Sequence, residues 1–204
     1  MLGRIVITCS LLGIIGSAAV VSRQDALVGW AFGRGHDCNV RVGHAADGVM
    51  PIRAICQWAV PIEAVRAQLD DVEGQEHVFS NVDESELIST YGDHLVVRQV
   101  HVARGIKDRE VIIDWVREPA PSGVRYRWRK ASDQSTITPG RVEVAVHSGS
   151  WEVSETNKGT RVQYTALYHP GGSVPRLLVR WFQGSGVRGV LEDLHEASKD
   201  SLLH

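Results

Sequence analysis

The chain has 204 residues, 43% of them hydrophobic and 23% charged, with a formal net charge of −2. That is ordinary globular composition, sufficient for one domain around one core. No stripe of Lys and Arg accompanies the near-neutral balance, which excludes nucleic acid as a partner, since its binding needs clustered cations to displace counterions.

Met1 to Arg4 carries one positive charge, and Ile5 to Val21 is almost wholly apolar, with the small residues Ser17, Ala18 and Ala19 near its end. This is the pattern of a secretory signal peptide over residues 1–22, with cleavage after Ala18, Ala19 or Ser22. The alternative is an uncleaved anchor, because about seventeen apolar residues sit at the lower edge of a bilayer span. Either way residues 23–204 are expected to be exported, periplasmic or secreted. Gln24 to Phe32 is a short amphipathic stretch, ended by Gly33-Arg34-Gly35, and reads as a lead-in helix or a loose arm.

Asn39 to Val42 and Met50 to Trp58 alternate like strands around the turn residues Ala46-Asp47-Gly48. A turn centred on Asp47 sets Cys38 opposite Cys56, and export would place both in an oxidising space. A cross-strand disulfide is geometrically allowed; two buried thiols are the alternative, because a one-residue slip sends them to opposite faces. Pro61 then opens a helix with Ile62, Val65 and Leu69 on one side, ended by Asp70, Asp71 and Glu73. After Gly74 a second short helical piece reaches Phe79.

Strands follow at Leu87–Tyr91, His94–Val102 and Arg109–Val116, the last with Val111, Ile113 and Trp115 on one face. Pro119, Pro121, Ser122 and Gly123 supply a turn. Val124, Tyr126 and Trp128 alternate with Arg125, Arg127 and Arg129; Val142, Val144 and Val146 with Arg141, Glu143 and Ala145; Val162, Tyr164, Ala166 and Tyr168 with Arg161, Gln163 and Thr165. Alternation of this kind predicts a sheet with one wet and one dry face. About eight short strands with brief connections argue for antiparallel pairing over βαβ units. From Pro175, residues Leu177, Leu178 and Trp181 recur at helical spacing, and Leu191 and Leu194 resume the same side after Gly184, Gly186 and Gly189. Each glycine costs up to about 1 kcal/mol in a helix interior, so this helix is expected to bend or open there.

Chemistry-bearing motifs are few. Gly184-Ser185-Gly186-Val187-Arg188-Gly189 matches GxGxxG, but the chain reaches His204 before a second strand could supply the ribose-binding acid. The nine histidines form no metal-ligand spacing, and Asp70, Asp71 and Glu73 read as a solvated helix end. No metal and no cofactor is expected. Ile113, Trp115, Tyr126, Trp128, Val144, Tyr164, Leu178 and Trp181 have the composition of a small-molecule pocket, and equally that of a plain core.

Three segments carry a family likeness. His169-Pro170-Gly171-Gly172-Ser173-Val174-Pro175 resembles the Pro-Gly-Gly entry to the last helix of START lipid-binding domains; Gly140 to Trp151 resembles their strand ending Ser-Gly-x-Trp; Asp108-Arg109-Glu110 resembles their Asp-Arg-Asp. The resemblance spans Asn39 to Ala197. It implies an α+β helix-grip fold, START/Bet v 1-like, in which a curved antiparallel sheet of about seven to eight strands wraps a long C-terminal helix, with two short helices after the second strand. It further implies that the eight apolar and aromatic residues line a cavity for a lipid or other hydrophobic small molecule, for transport or sensing, with transient membrane contact, a monomeric chain and no catalysis. Arg109 is expected as a salt-bridged structural residue at the cavity edge. A cyclase or aromatase of the same superfamily is the alternative, with histidine or tyrosine as proton carrier. The chain departs from the family's exported members at His77-Val78-Phe79 and Gly105-Ile106-Lys107, where they carry tryptophan and Trp-Pro, so the pocket mouth is expected to differ.

Overall fold

The structure, a computed structural model, describes residues 28–31, 37–43, 48–132, 137–174 and 186–203. The N-terminal apolar segment, Ala46 and Asp47 of the first turn, and residues 175–185 with Leu178, Trp181 and Gly184 lie outside them.

The alternating stretches form one ten-stranded sheet. Its strands are β1 (Val28–Ala31), β2 (Asp37–Val42), β3 (Met50–Trp58), β4 (Val82–Tyr91), β5 (His94–His101), β6 (Arg109–Ala120), β7 (Gly123–Lys130), β8 (Val142–Glu143), β9 (Val146–Thr156) and β10 (Gly159–His169). They run β1-β2-β3-β10-β9-β7-β6-β5-β4, all antiparallel, while β8 adds in parallel to β6. On β7, Val124, Tyr126 and Trp128 are buried. Arg125, Arg127 and Arg129 take the wet face, reaching Glu152, Glu118 and Asp114 at 2.6, 3.1 and 3.0 Å. Such cross-strand pairs contribute about 0.2–1 kcal/mol each.

Three sequence expectations change. The stretch read as a lead-in helix or loose arm contains β1, whose Val28 to Ala31 pair with Val42 to Asn39. A helix this short does not repay its nucleation, whereas the edge of β2 offers a row of unpaired backbone groups. The strand from Arg109 runs on through Pro119 to Ala120, and Ala120 pairs with Gly123, leaving only Pro121-Ser122 as the turn. Finally, the unbroken strand expected through Val142, Val144 and Val146 is interrupted after Glu143. There the Val144 N–H donates to the Glu110 carbonyl at 3.1 Å and the Ala145 N–H to the His169 carbonyl at 3.0 Å. The break shifts the alternation by one residue, so His147, Trp151 and Val153 face inward.

The family-like Pro-Gly-Gly has a local reason. Gly171 sits at φ +72°, and a Cβ there would lie 2.1 Å from the Glu143 carbonyl oxygen, so only glycine lets the chain cross β8 this closely.

Two short helices, α1 (Ile62–Asp70) and α2 (Gln75–Val78), follow the β2–β3 hairpin. That hairpin is the expected first pair of strands; β1 precedes it and, with the short β8, raises the count above eight. In the hairpin Cys38 lies opposite Cys56 and the two sulfurs are bonded, 1.99 Å apart. The C-terminal helix α3 (Val187–Asp200) buries Val187, Leu191, Leu194 and Ser198 and packs on α1 and α2. His195 of α3 stacks on Trp58, ring centroids 4.9 Å apart. A polar clasp joins the same helix to the chain after α2: the N–H and hydroxyl of Ser80 both donate to Asp193 Oδ2 at 2.8 Å.

Candidate functional site

Between the inner face of the sheet and α3 lies a cavity of about 670 Å³, within the range of about 300–1,000 Å³ usual for small-molecule sites. Register decides its lining. Trp115, Trp128, Trp151 and Tyr164 stand mid-strand on β6, β7, β9 and β10, where Trp115 pairs with Trp128 and Tyr164 with Trp151. Their rings form a slab: Trp128 stacks on Trp115 at 5.6 Å and on Tyr164 at 5.9 Å, and Tyr164 meets Trp151 at 4.2 Å. Gly149 is what lets the slab close, since a Cβ there would meet the Trp128 ring at 2.6 Å. Phe79 from the end of α2 stacks on Trp151 at 6.4 Å. Aromatic pairs at these separations contribute about 0.5–1.5 kcal/mol beyond burial.

Four residues on from Trp151 and Tyr164 along β9 and β10, roughly 13 Å at the usual rise, the wall becomes polar. His101 pairs with Arg109 across β5 and β6, and His147 with Tyr168 across β9 and β10. All four line the cavity. The His101 and His147 rings lie 5.1 Å apart, and Tyr168 is 5.5 Å from His147 and 6.1 Å from His101. Burial pushes the His101 imidazole down to about 4. It pushes His147 well below the usual histidine range, with His101 adding to the effect, so both rings are neutral near pH 7. Burial likewise raises the Tyr168 phenol to about 12, against the opposing pull of Arg109. His101 Nε2 lies 3.3 Å from Gln99 Oε1, and Gln99 Nε2 donates to Gln75 Oε1 at 2.8 Å.

Arg109 is 4% exposed. Its Nη1 donates to the Lys107 carbonyl, while its Nε finds no partner among the described residues. Among the described residues it makes no salt bridge; the neighbouring Glu110 pairs with Arg141 at 3.0 Å instead. The structural ion pair expected for Arg109 is therefore absent there, because consecutive strand residues point to opposite faces and Glu110 turns away from the cavity.

Of the residues singled out by sequence, Ile113, Trp115, Trp128 and Tyr164 come together on the cavity wall, with Arg109 at its polar end. Tyr126 and Val144 are buried but do not line it. The Tyr126 hydroxyl is drawn to α1, donating to Asp70 Oδ1 at 2.9 Å, and Val144 is held at the β8–β9 break. Leu178 and Trp181 fall outside the described residues. Sequence reasoning passed over Phe79, Trp151, His101 and His147. Trp151 and His147 were hidden by the shifted alternation, whereas the buried register of His101 was legible from its place in an alternating strand. Among the described residues no group of three His, Cys, Asp or Glu side chains is placed to hold a metal.

A family model described as polyketide cyclase/dehydrase and lipid transport matches residues 56–202. The chain belongs to this polyketide cyclase/dehydrase and lipid transport family. Solved structures agree on the fold. A STAR-related lipid transfer protein from Xanthomonas axonopodis superposes with TM-score 0.74 at 19% identity, covering 86% of this chain and 99% of that one. Human StAR-related lipid transfer protein 5 gives 0.70 at 17%, covering 87% and 89%. The Zhui aromatase/cyclase of a Streptomyces species gives 0.53 at 17%, covering 74% and 94%. The family's START/Bet v 1-like helix-grip fold is thus the fold of this chain, and its neighbours include both transfer proteins and cyclases. A search of curated proteins finds no match.

Proposed function

We propose that this family member binds a lipid or other hydrophobic small molecule beneath α3 and carries or senses it in the cell envelope. The observation that carries this reading is the 670 Å³ cavity walled by Trp115, Trp128, Trp151 and Tyr164, where burying apolar ligand surface contributes about 25 cal/mol per Å². Export is part of the proposal. It is supported by the apolar segment from Ile5 to Val21 and by the Cys38–Cys56 bond, which suits an oxidising compartment. Loading and release of an apolar cargo would require transient membrane contact by a chain acting as a monomer. A lipid panel titrated against tryptophan fluorescence tests the reading: saturable quenching with a matching rise in melting temperature supports it, and a flat response across the panel refutes it.

The convergence of His101, His147, Tyr168 and Arg109 in the cavity favours a second reading, a cyclase or aromatase. Two observations weigh against it. An imidazole held near 4 is a weak base at neutral pH, and among the described residues His147 Nδ1 has no partner to orient the ring. Among the described residues the one close His–Asp contact, His94 Nδ1 to Asp114 Oδ1 at 2.6 Å, involves the carboxylate that Arg129 holds on the wet face. Turnover of an aromatic polyketide-type substrate that His101→Gln and His147→Gln abolish would reverse the preference.

A further inference from the structure

We infer that the cavity takes an amphipath with an anionic oxoacid head, a carboxylate or a phosphate monoester, seated against Arg109 with its apolar body along the tryptophan slab. This rests on the reading of the cavity as a hydrophobe site and adds the chemistry of the ligand's polar end.

The charge inventory of the wall carries the inference. Among the described residues that line the cavity, the charged side chains are Arg109 and Arg104, and no Asp or Glu is among them. Arg104 is exposed on the loop between β5 and β6, whereas Arg109 is buried. A guanidinium carries five N–H donors and stays protonated in proteins. Here one nitrogen is engaged by the Lys107 carbonyl, Nε is buried and orphaned, and among the described residues no carboxylate bridges to the group. A buried cation in that condition is costly unless an anion completes it.

Among the described residues only Asp108 acts on the guanidinium through its charge, and it does so from outside the cavity wall without an ion pair. Asp108 is exposed and Glu110 is engaged by Arg141. His101 and His147 are neutral, so they add hydrogen-bonding capacity without charge, and His147 Nδ1 is itself buried and unpartnered. Tyr168, still protonated, offers a phenolic group beside them. One cation, two neutral imidazoles and one phenol gathered at a single end of an aromatic cavity match an anionic head group with several acceptor oxygens. Charge-assisted hydrogen bonds of this type are roughly twice as strong as neutral ones.

Dodecanoate, dodecyl phosphate and dodecanol share one chain and differ in the head, so calorimetric titration of the purified protein with each, near neutral pH, is the test. Both anions are expected to bind at least about tenfold more tightly than the alcohol, and whichever is tighter names the head. Arg109→Gln is expected to remove the preference for the anions over dodecanol, and Arg104→Gln to preserve it, since an exposed charge is screened by salt. Dodecanol binding as tightly as the anions, or Arg109→Gln keeping the preference, overturns the inference and leaves hydrophobe binding intact. Failure of all three ligands to bind overturns both. The comparison of head groups on the unmodified chain does not depend on any variant folding.

Discussion

Gly189 offers a direct way to fill the cavity without disturbing the fold. It lies in the first turn of α3 and lines the cavity, and a Cβ built on it meets nothing within 4 Å. Replacing a helical glycine by alanine gains up to about 1 kcal/mol, the full value applying to a helix interior, which in a domain of this size raises the melting temperature by up to roughly 2–4 °C. Gly189→Ala is therefore expected to be more stable and to bind ligand almost normally. Leucine has nearly the same helix propensity, so Gly189→Leu should keep the stability gain. Its four side-chain carbons, however, take space that ligand methylenes would occupy, and at about 0.8 kcal/mol per CH₂ the loss of three or four contacts is about 3 kcal/mol, or roughly a hundredfold in Kd. Thermal unfolding and fluorescence titration of the two variants side by side provide the readout. Normal binding by Gly189→Leu would show that the ligand does not lie under α3, and a melting temperature below that of the unmodified chain would show that the space beside Gly189 is already filled.

Further predictions concern the lid, the hairpin, one ion-pair network and pH. Asp193→Ala removes both Ser80 hydrogen bonds and should speed ligand exchange several-fold with little change in melting temperature, whereas Gly186→Ala with Gly189→Ala should slow it; stopped-flow transfer to vesicles measures both, and unchanged rates would deny α3 a gating role. Reducing the Cys38–Cys56 bond, which closes a separation of 18 residues, should cost about 3 kcal/mol by the loop-entropy relation, a drop of roughly 6–12 °C in calorimetry. Arg141 ties Glu84 to the buried Glu110. Although burial works against it, the Glu110 carboxyl is held below the usual range by Thr138 and Arg141. Arg141→Met should thus destabilise by about 2–3 kcal/mol, less than for a fully buried pair, and adding Glu110→Gln should restore part of that in denaturant unfolding. Finally, because His101 and His147 have folded-state pKa values below the unfolded 6.5, the unfolded chain binds more protons as pH falls. Stability should decline from about pH 6.5 towards pH 4, and His101→Gln should flatten that slope in pH-dependent melting; a slope unchanged by His101→Gln would contradict the buried, neutral histidine.

Where one periodicity ran uninterrupted, the sequence was a good guide to the fold. Val124-Tyr126-Trp128 and Val162-Tyr164-Ala166 read as inward faces and are inward, because each lies in a central strand with arginines or polar residues on the wet side. The hairpin register that set Cys38 opposite Cys56 followed from the turn position alone. Legibility failed where backbone crossings override side-chain pattern. At the β8–β9 break the chain spends Val144 and Ala145 on hydrogen bonds to Glu110 and His169, and nothing in the run of valines announces that His147 rather than Val146 turns inward. Arg109 shows the opposite kind of failure: flanked by Asp108 and Glu110 it reads as a salt-bridged residue, yet alternation turns Glu110 to Arg141 and, among the described residues, Asp108 stays exposed without an ion pair, which leaves Arg109 facing the cavity. The edge strand β1 depended on a partner elsewhere in the chain, which local composition does not encode.

The central claim is that the space under α3 holds a hydrophobic ligand. Native mass spectrometry of the protein purified from an exporting host, with organic extraction of the same sample, tests it most directly. The account predicts a stoichiometric adduct that extraction identifies as an amphipath with an acidic head, and that Gly189→Leu largely loses. A protein that emerges free of any apolar molecule, and that takes up none from a lipid panel supplied in excess, would contradict it.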